Sequence, residues 1–450
     1  MNIKFSTATL AVVIVASLAS CSVYKNYERP SDLKTENLYG NALTEGGGES
    51  MASLGWRDIY TDPCLQALIE RALANNNGLK AQQWAVEQAK ASHTQSKLAY
   101  LPSLSRSPGG AYNTPSQSLD GKNWTYQIPV ALDWELDIFG GLHNQRKMAK
   151  AALGSQQDLL QAVESRLIAT VASCYYQLLA LDQTQLVVRD AYDVWEDLIK
   201  AADALLEAGE IGAVAVTQFK GQKYDIEATS RTLERNILNA DLDLCSLLGE
   251  EPHNIERGSL TALHAPQSMA TGVSSALLAN RPDVRQAERD LEYFYHNERY
   301  ATSNFFPKFN INAQTLFNGA WMTSILGSLT QPVFARGKVI AGKKIAKAQY
   351  EQAKVNYQQK LIDASAEVVK AMKQFSTAHD NSQTRQLQVD EYNKTVSYSK
   401  TLMFNGECTY LDVLSAETNL FATRQALIDS QLDEMLAVVN LYLALGGGSR

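Results

Sequence analysis

Residues able to do covalent or acid–base chemistry are few in this chain and lie far apart. The six histidines, His93, His143, His253, His264, His296 and His379, show no H-E-x-x-H spacing. No G-x-S-x-G, Walker or G-x-G-x-x-G stretch occurs. Cys64, Cys174, Cys245 and Cys408 form no C-x-x-C metal or redox pair, and scattered small core residues describe them better than disulfides. No catalytic, cofactor-binding or metal-binding set follows, and an enzyme is not expected. One thiol does have a context. Cys21 follows Lys4, a mostly apolar run from Ala8 to Leu18, and then Ala19-Ser20. That order reads as a signal peptide over residues 1–20, cleaved before the cysteine. A second group is Asp133, Glu135 and Asp137, three carboxylates at alternate positions.

Alternation also defines the element that must carry those acids. From Trp124 to Asp137 every even position is apolar: Trp124, Tyr126, Ile128, Val130, Leu132, Trp134 and Leu136. Period two means a strand with one greasy face and one mostly wet face. An ordinary half-buried strand is about half that length. A lipid-crossing strand needs roughly 9–11 tilted residues with aromatics near the interfaces, and this stretch has both. The acids would then line a pore and favour cations. Pairing with a Lys or Arg of a neighbouring strand is the alternative.

Composition agrees with a folded chain that crosses a bilayer only by strands. Its 450 residues are 45% hydrophobic and 20% charged, ample for a core. After residue 20 no run of 18 apolar residues remains, so no transmembrane helix is expected in the mature chain. Without residues 1–20 the chain has 40 basic and 48 acidic side chains, which argues against a nucleic-acid partner.

Residues 21–55 are polar and include Gly46-Gly47-Gly48, an extended tether leading to Trp56. Asp62-Pro63 opens a helix, and a second runs from Leu79 to about Tyr100. A hairpin follows over 104–138, with Leu104–Asn113 as its weaker strand. Residues 142–206 read as one helix of roughly 100 Å, which suggests a coiled coil or rod. Gly209 and Gly212 turn the chain, and 213–248 return as helix, closing a first repeat over 56–250. Residues 251–275 form a linker.

The pattern then starts again over 276–448. Pro102 corresponds to Pro307, an offset of 205. Beyond the strands the offset is 197, pairing Gly140 with Gly337, Gly209-Glu210 with Gly406-Glu407, and Leu248-Gly249 with Leu445-Gly446. The difference falls in the hairpin loop, where length is tolerated. The second copy holds a hairpin over 309–334, a long helix over 338–404 and a return helix over 410–445.

Two hairpins supply four strands. An open sheet edge cannot sit in hydrocarbon, and the smallest usual closed barrels have about eight strands. Four strands therefore force assembly, and a cyclic trimer would close a barrel of twelve. The expected class is mainly α with a membrane β-barrel: tandem-duplicated long-helix hairpins, four strands per chain, and a trimeric barrel continued by an α-helical one.

The chain resembles the bacterial outer membrane efflux proteins, the TolC-like outer membrane factors, in their lipoprotein branch. The carrying stretches are Leu136-Asp137-Ile138-Phe139-Gly140-Gly141, Arg281-Pro282-Asp283-Val284 with Ala287-Glu288, Gln331-Pro332-Val333-Phe334, Tyr410-Leu411-Asp412-Val413-Leu414 and Leu441-Tyr442-Leu443-Ala444-Leu445-Gly446-Gly447-Gly448. Leu18-Ala19-Ser20-Cys21 resembles the lipobox of bacterial lipoproteins. It implies acylation of Cys21, and acyl chains at about 0.8 kcal/mol per buried methylene anchor a chain firmly. Ser22, in place of an acid, implies the outer membrane.

The resemblance implies a homotrimeric channel-tunnel that takes drugs, toxic compounds or metal ions from an RND-type inner-membrane pump through a periplasmic adaptor. Its adaptor-contact tips would be Gly209, Glu210, Ile211 and Gly212 with Gly406, Glu407 and Cys408. The family's periplasmic aperture residues fall on Leu411, Ser415 and Thr418, where the last two replace a family Asp and Arg. Asp412 and Glu417 could form an acidic ring in their stead, or simply lie on a solvated helix face. Competing classes are a type I protein-secretion channel and a periplasmic coiled-coil adaptor or scaffold. The pore reading predicts a heat-modifiable trimer in the sarkosyl-insoluble membrane fraction. A freely soluble, monomeric chain would favour the scaffold.

Overall fold

The structure, a computed structural model, describes residues 24–31, 55–113, 123–263, 281–317, 321–331 and 336–447. Cys21, the signal peptide, most of the tether, much of the linker, and Pro332-Val333-Phe334 lie outside them. Helices α1 (Trp56–Ile59), α2 (Pro63–Asn75) and α3 (Asn77–Leu98) lead into strands β1 (Ser103–Arg106), β2 (Gly109–Asn113) and β3 (Asn123–Leu136). Helices α4 (Gly141–Glu207) and α5 (Ala213–Leu248) complete the first half. The second half holds α6 (Pro282–Ser303), β4 (Lys308–Phe317), β5 (Trp321–Thr330), α7 (Lys338–Phe404) and α8 (Tyr410–Ala444). Among the described residues no helix is long and apolar enough to cross a membrane.

Local chemistry sets the boundaries. The Asp62 carboxylate accepts the Cys64 N–H at 2.8 Å, and Pro63 takes the first helical position, where its missing N–H costs nothing. Among the described residues six glycines have positive φ: Gly140, Gly209, Gly249, Gly337, Gly406 and Gly446. They are the three pairs that stand 197 positions apart in the sequence. At four of them the helix end is closed alike. Gly209 N–H reaches Leu206 O and Glu210 N–H reaches Leu205 O, and Gly406 and Glu407 repeat this on Met403 and Leu402. Gly249 and Glu250, then Gly446 and Gly447, do the same. This is the Schellman closure, whose left-handed residue is normally glycine.

The chain divides into two compact units. One collects the described residues of Met1–Lys34 with Gln83–Leu159 and Asp283–Lys360, and contains all five strands. The other collects Thr35–Gln82, Leu160–Pro282 and Leu361–Arg450. In the second unit a core of Leu65, Ile69, Tyr175, Leu178, Leu244, Leu248, Leu441 and Tyr442 joins helix ends from both halves. Two equivalent locks hold it. Asn76 donates to Leu247 O at 2.8 Å, and Arg281 donates to Ala444 O at 2.9 Å. Position 281 corresponds to 76 at the offset of 205, and 444 to 247 at 197. Arg281 is buried and also pairs with Glu367 at 2.6 Å. Burial along α7 recurs at Ala346, Ala353, Tyr357, Leu361, Ala364, Val368 and Ala371, the seven-residue rhythm of a coiled-coil seam.

In the first unit the strands form one sheet, in the order β1-β3-β4-β5, with β2 also on β3. Its outer edges, β1 with β2 on one side and β5 on the other, have no partner strand among the described residues. The expected single strand over 104–113 is interrupted at Ser107-Pro108, because proline cannot donate to the ladder. The register with β3 continues across the break. The returning strand also ends sooner than expected, at Thr330.

Two other expectations change. The tether is not wholly extended away from the protein. Tyr24 donates to Asp137 O at 2.7 Å, and Arg29 pairs with Glu288 of α6 at 2.6 Å. Asp137 leaves the strand face: its carboxylate accepts Leu142 N–H at 3.1 Å and His143 N–H at 2.6 Å, capping α4. Nearby, buried His296 meets Asn144 at 2.9 Å, and burial pushes its pKa down to about 4, so it is neutral.

The glycines differ in surroundings, and this is testable. A Cβ on Gly249 would lie 2.9 Å from Asn75 O, whereas nothing lies within 4 Å at Gly209 or Gly406. Gly209→Ala should cost roughly 1–2 kcal/mol, the left-handed strain alone. Gly249→Ala should cost clearly more, seen as a larger fall in the temperature at which the assembly dissociates on a gel. Equal falls would contradict this packing.

Candidate functional site

Register determines which residues share a face of the sheet. Asp133 stands opposite Ser103 and Asn312, Glu135 opposite Asn310, and Asn310 opposite Ser328. Opposed side chains point the same way, so these polar residues form one wall, with Gln314 and Ser324 beside them. The other face aligns Leu132 with Ala313 and Ile325, Trp134 with Ile311, and Leu136 with Phe309 and Leu329. Ile325 and Leu329 are 73% and 65% exposed in the single chain. Such an apolar band beside a polar wall suits lipid on one side and water on the other. Trp134 donates its indole N–H to Tyr100 O at 2.9 Å, so its polar edge is satisfied.

The three acids therefore separate. Asp133 and Glu135 stand on the polar wall, and Asp137 caps α4. Glu135 also meets Lys308 of the next strand at 3.3 Å, the cross-strand pairing that competed with a free pore-lining charge.

The turn after α4 and the turn after α7 have the same backbone, and Glu210 and Glu407 are exposed at equivalent places. Ile211 is half-buried, and Gly212 precedes α5 as its N-cap. Cys408 is half-buried, and its Sγ reaches Ser399 O at 3.2 Å. Behind the turns, Trp195, Val216, Phe219 and Val413 pack into a shared apolar cluster.

The residues after the second turn do not act as one set. Leu411 is 49% exposed. Asp412 is exposed too, but its carboxylate accepts the Thr409 N–H at 2.8 Å and the Thr409 hydroxyl at 2.7 Å. Those bonds hold its pKa below the usual carboxylate range. Ser415 is exposed, and Thr418 donates back to Leu414 O. Glu417 is buried, against the expectation of an acidic ring with Asp412. Its carboxylate meets Lys400 of α7 at 2.6 Å, and Val187 and Trp195 of α4 line the same small cavity. Glu417 thus links α8 to α7 and borders a cavity that α4 also lines. Periodicity alone could not find this link, because an acid on a mixed helix face reads as solvated.

The comparisons agree with this geometry. The sequence matches the family described as outer membrane efflux protein over residues 68–250 and 273–447. The chain belongs to that family. The "probable outer membrane lipoprotein SilC" of Salmonella typhimurium is 28% identical, with 99% of each chain covered. The "cation efflux system protein CusC" of Escherichia coli strain K12 is 26% identical over 98% of this chain and 99% of its own. A crystal structure of CusC superposes with a TM-score of 0.84 at 23% identity, covering 94% of this chain and 99% of the other. The open state of the MtrE outer membrane channel of Neisseria gonorrhoeae gives 0.82 at 23% identity, covering 95% and 98%. The fold is therefore the mainly helical, TolC-like one, with a small sheet, that these channel structures share. The protein is an outer membrane efflux channel with a periplasmic tunnel.

The Lys400–Glu417 pair gives a test. Removing Lys400 leaves a buried carboxylate unpaired, at a cost of about 1–3 kcal/mol, discounted because Lys400 is partly exposed. Lys400→Ala should loosen the helices behind the tip and raise vancomycin entry into cells. Adding Glu417→Gln should restore most of the barrier. An unchanged barrier in Lys400→Ala would remove the pair from the closure.

Proposed function

We propose that three copies of this chain form the passive outer membrane conduit of a tripartite efflux system. An RND-type inner-membrane pump supplies the substrate through a periplasmic adaptor. Acylated Cys21 anchors each chain to the membrane, and no chemistry is done on the cargo. The sheet carries this reading: it is amphipathic, and both its edges are open. In hydrocarbon those edges must be paired, and pairing with copies of the same chain both satisfies them and makes a water-filled cylinder.

The tips carry the adaptor assignment. Two turns of the same geometry, one per repeat, present Glu210 and Glu407 to solvent, so a trimer offers six related docking points. At the aperture, Leu411 is the exposed apolar group, and Asp412, Ser415 and Thr418 follow on the same helix. In the barrel, Asp133 is the acid we assign to the water-facing wall, with Glu135 shared with Lys308. Cargo would be drugs, toxic compounds or metal ions. The name of the relative CusC supports cations as one such cargo, and we assign the choice among them to the pump.

The tip assignment is tested by the double variant Glu210→Lys, Glu407→Lys. Capture of the cognate adaptor should fall at least tenfold, while the trimer in the membrane is unchanged. Undiminished capture would locate the adaptor contact elsewhere.

A further inference from the structure

An open groove of about 890 Å³ lies where β4 and β5 give way to α6 and α7, entirely within the first compact unit. Lys308 and Lys338 form its cationic side, and Phe306, Val339 and Ile345 its apolar side. Among the described residues no carboxylate lines it. Glu135 reaches Lys308 from the neighbouring strand, so that ammonium is partly neutralised. Lys338 is exposed and has no ion-pair partner among the described residues.

The sheet register says which way the groove opens. Lys308 stands opposite Thr330, and both share the face of Asn310, Asn312 and Ser328. That is the polar wall. In a membrane barrel the polar wall borders the lumen, which puts the Lys308 and Thr330 side of the groove on the water face.

We propose that this groove is a transit site for anionic amphiphiles, molecules with a carboxylate or sulfate attached to an apolar body. Lys338 attracts the anion, with Lys308 contributing the charge that Glu135 leaves. Phe306, Val339 and Ile345 receive the apolar body, which gains by leaving water. The site rests on the channel reading and adds to it a charge preference within the lumen.

Planar-bilayer recording of the purified trimer tests the site, with deoxycholate as the anionic probe and hexadecyltrimethylammonium as the cationic one. Deoxycholate should block the wild-type channel in a concentration-dependent way. Lys338→Gln should weaken the block about fivefold, the worth of one partly exposed ion pair. Lys338→Glu should nearly abolish it. Lys344→Gln removes an exposed charge from the same helix outside the groove and should leave the block unchanged. Should Lys338→Glu fail to assemble, Lys338→Gln carries the test. Absence of block in the wild type, equal block in Lys338→Gln, or equal block by both probes would overturn the site. Open-channel conductance in the same traces separates the two readings. A conducting pore without deoxycholate block rejects the groove alone, and a protein that never conducts, even with Lys400→Ala added to loosen the tip, rejects the channel.

Discussion

Unpaired backbone is the constraint from which the rest follows. One chain carries a sheet four strands wide, with β1 and β2 along one margin and β5 along the other. Each free N–H and C=O on those margins would cost several kcal/mol in lipid. Water cannot reach them there, and four strands cannot curl far enough to meet. Other copies of the chain are the available partners. Assembly is thus a consequence of backbone chemistry, and the side chains then determine which face meets lipid.

Duplication explains how one chain supplies two such hairpins and two sets of helices. The repeated glycines mark it most sharply, because they close the helix ends alike in both halves. Yet the halves have diverged where they meet the rest of the protein. Asn76 makes its lock with a neutral amide, while Arg281 makes the equivalent lock with a buried guanidinium that also needs Glu367. Arg281 also packs against Gly446, where a Cβ would lie 3.1 Å away, and Gly447 leaves no room for one beside the Tyr442 ring. The R-P-D and terminal glycine stretches therefore meet as a structural joint.

Much of this was legible in the sequence because its signals are periodic. The β3 alternation, the long uninterrupted helices and the two offsets rest on regular spacing, which survives without knowledge of contacts. Pro108 carried a local signal too, as a residue that cannot donate to a ladder, yet the expected strand over 104–113 ran through it. Pairing between distant segments was not readable. Asp137 continued the alternation of β3, but the start of α4 needed an acceptor and took it. Glu417 stood beside Asp412 as a second acid, yet Lys400, on another helix, draws it inward. The face of Lys308 emerged only when the β4–β5 register set it opposite Thr330 and its ammonium met the Glu135 carboxylate. Charges are placed by their partners, and partners are set by tertiary structure.

Backbone hydrogen exchange on the membrane-extracted assembly examines the central claim directly. If copies of the chain seal one cylinder, amides of the marginal strands β1, β2 and β5 should be protected as strongly as those of the interior strand β3. Rapid exchange confined to β5 and to β1 and β2 would show open margins, and would contradict a barrel shared between subunits.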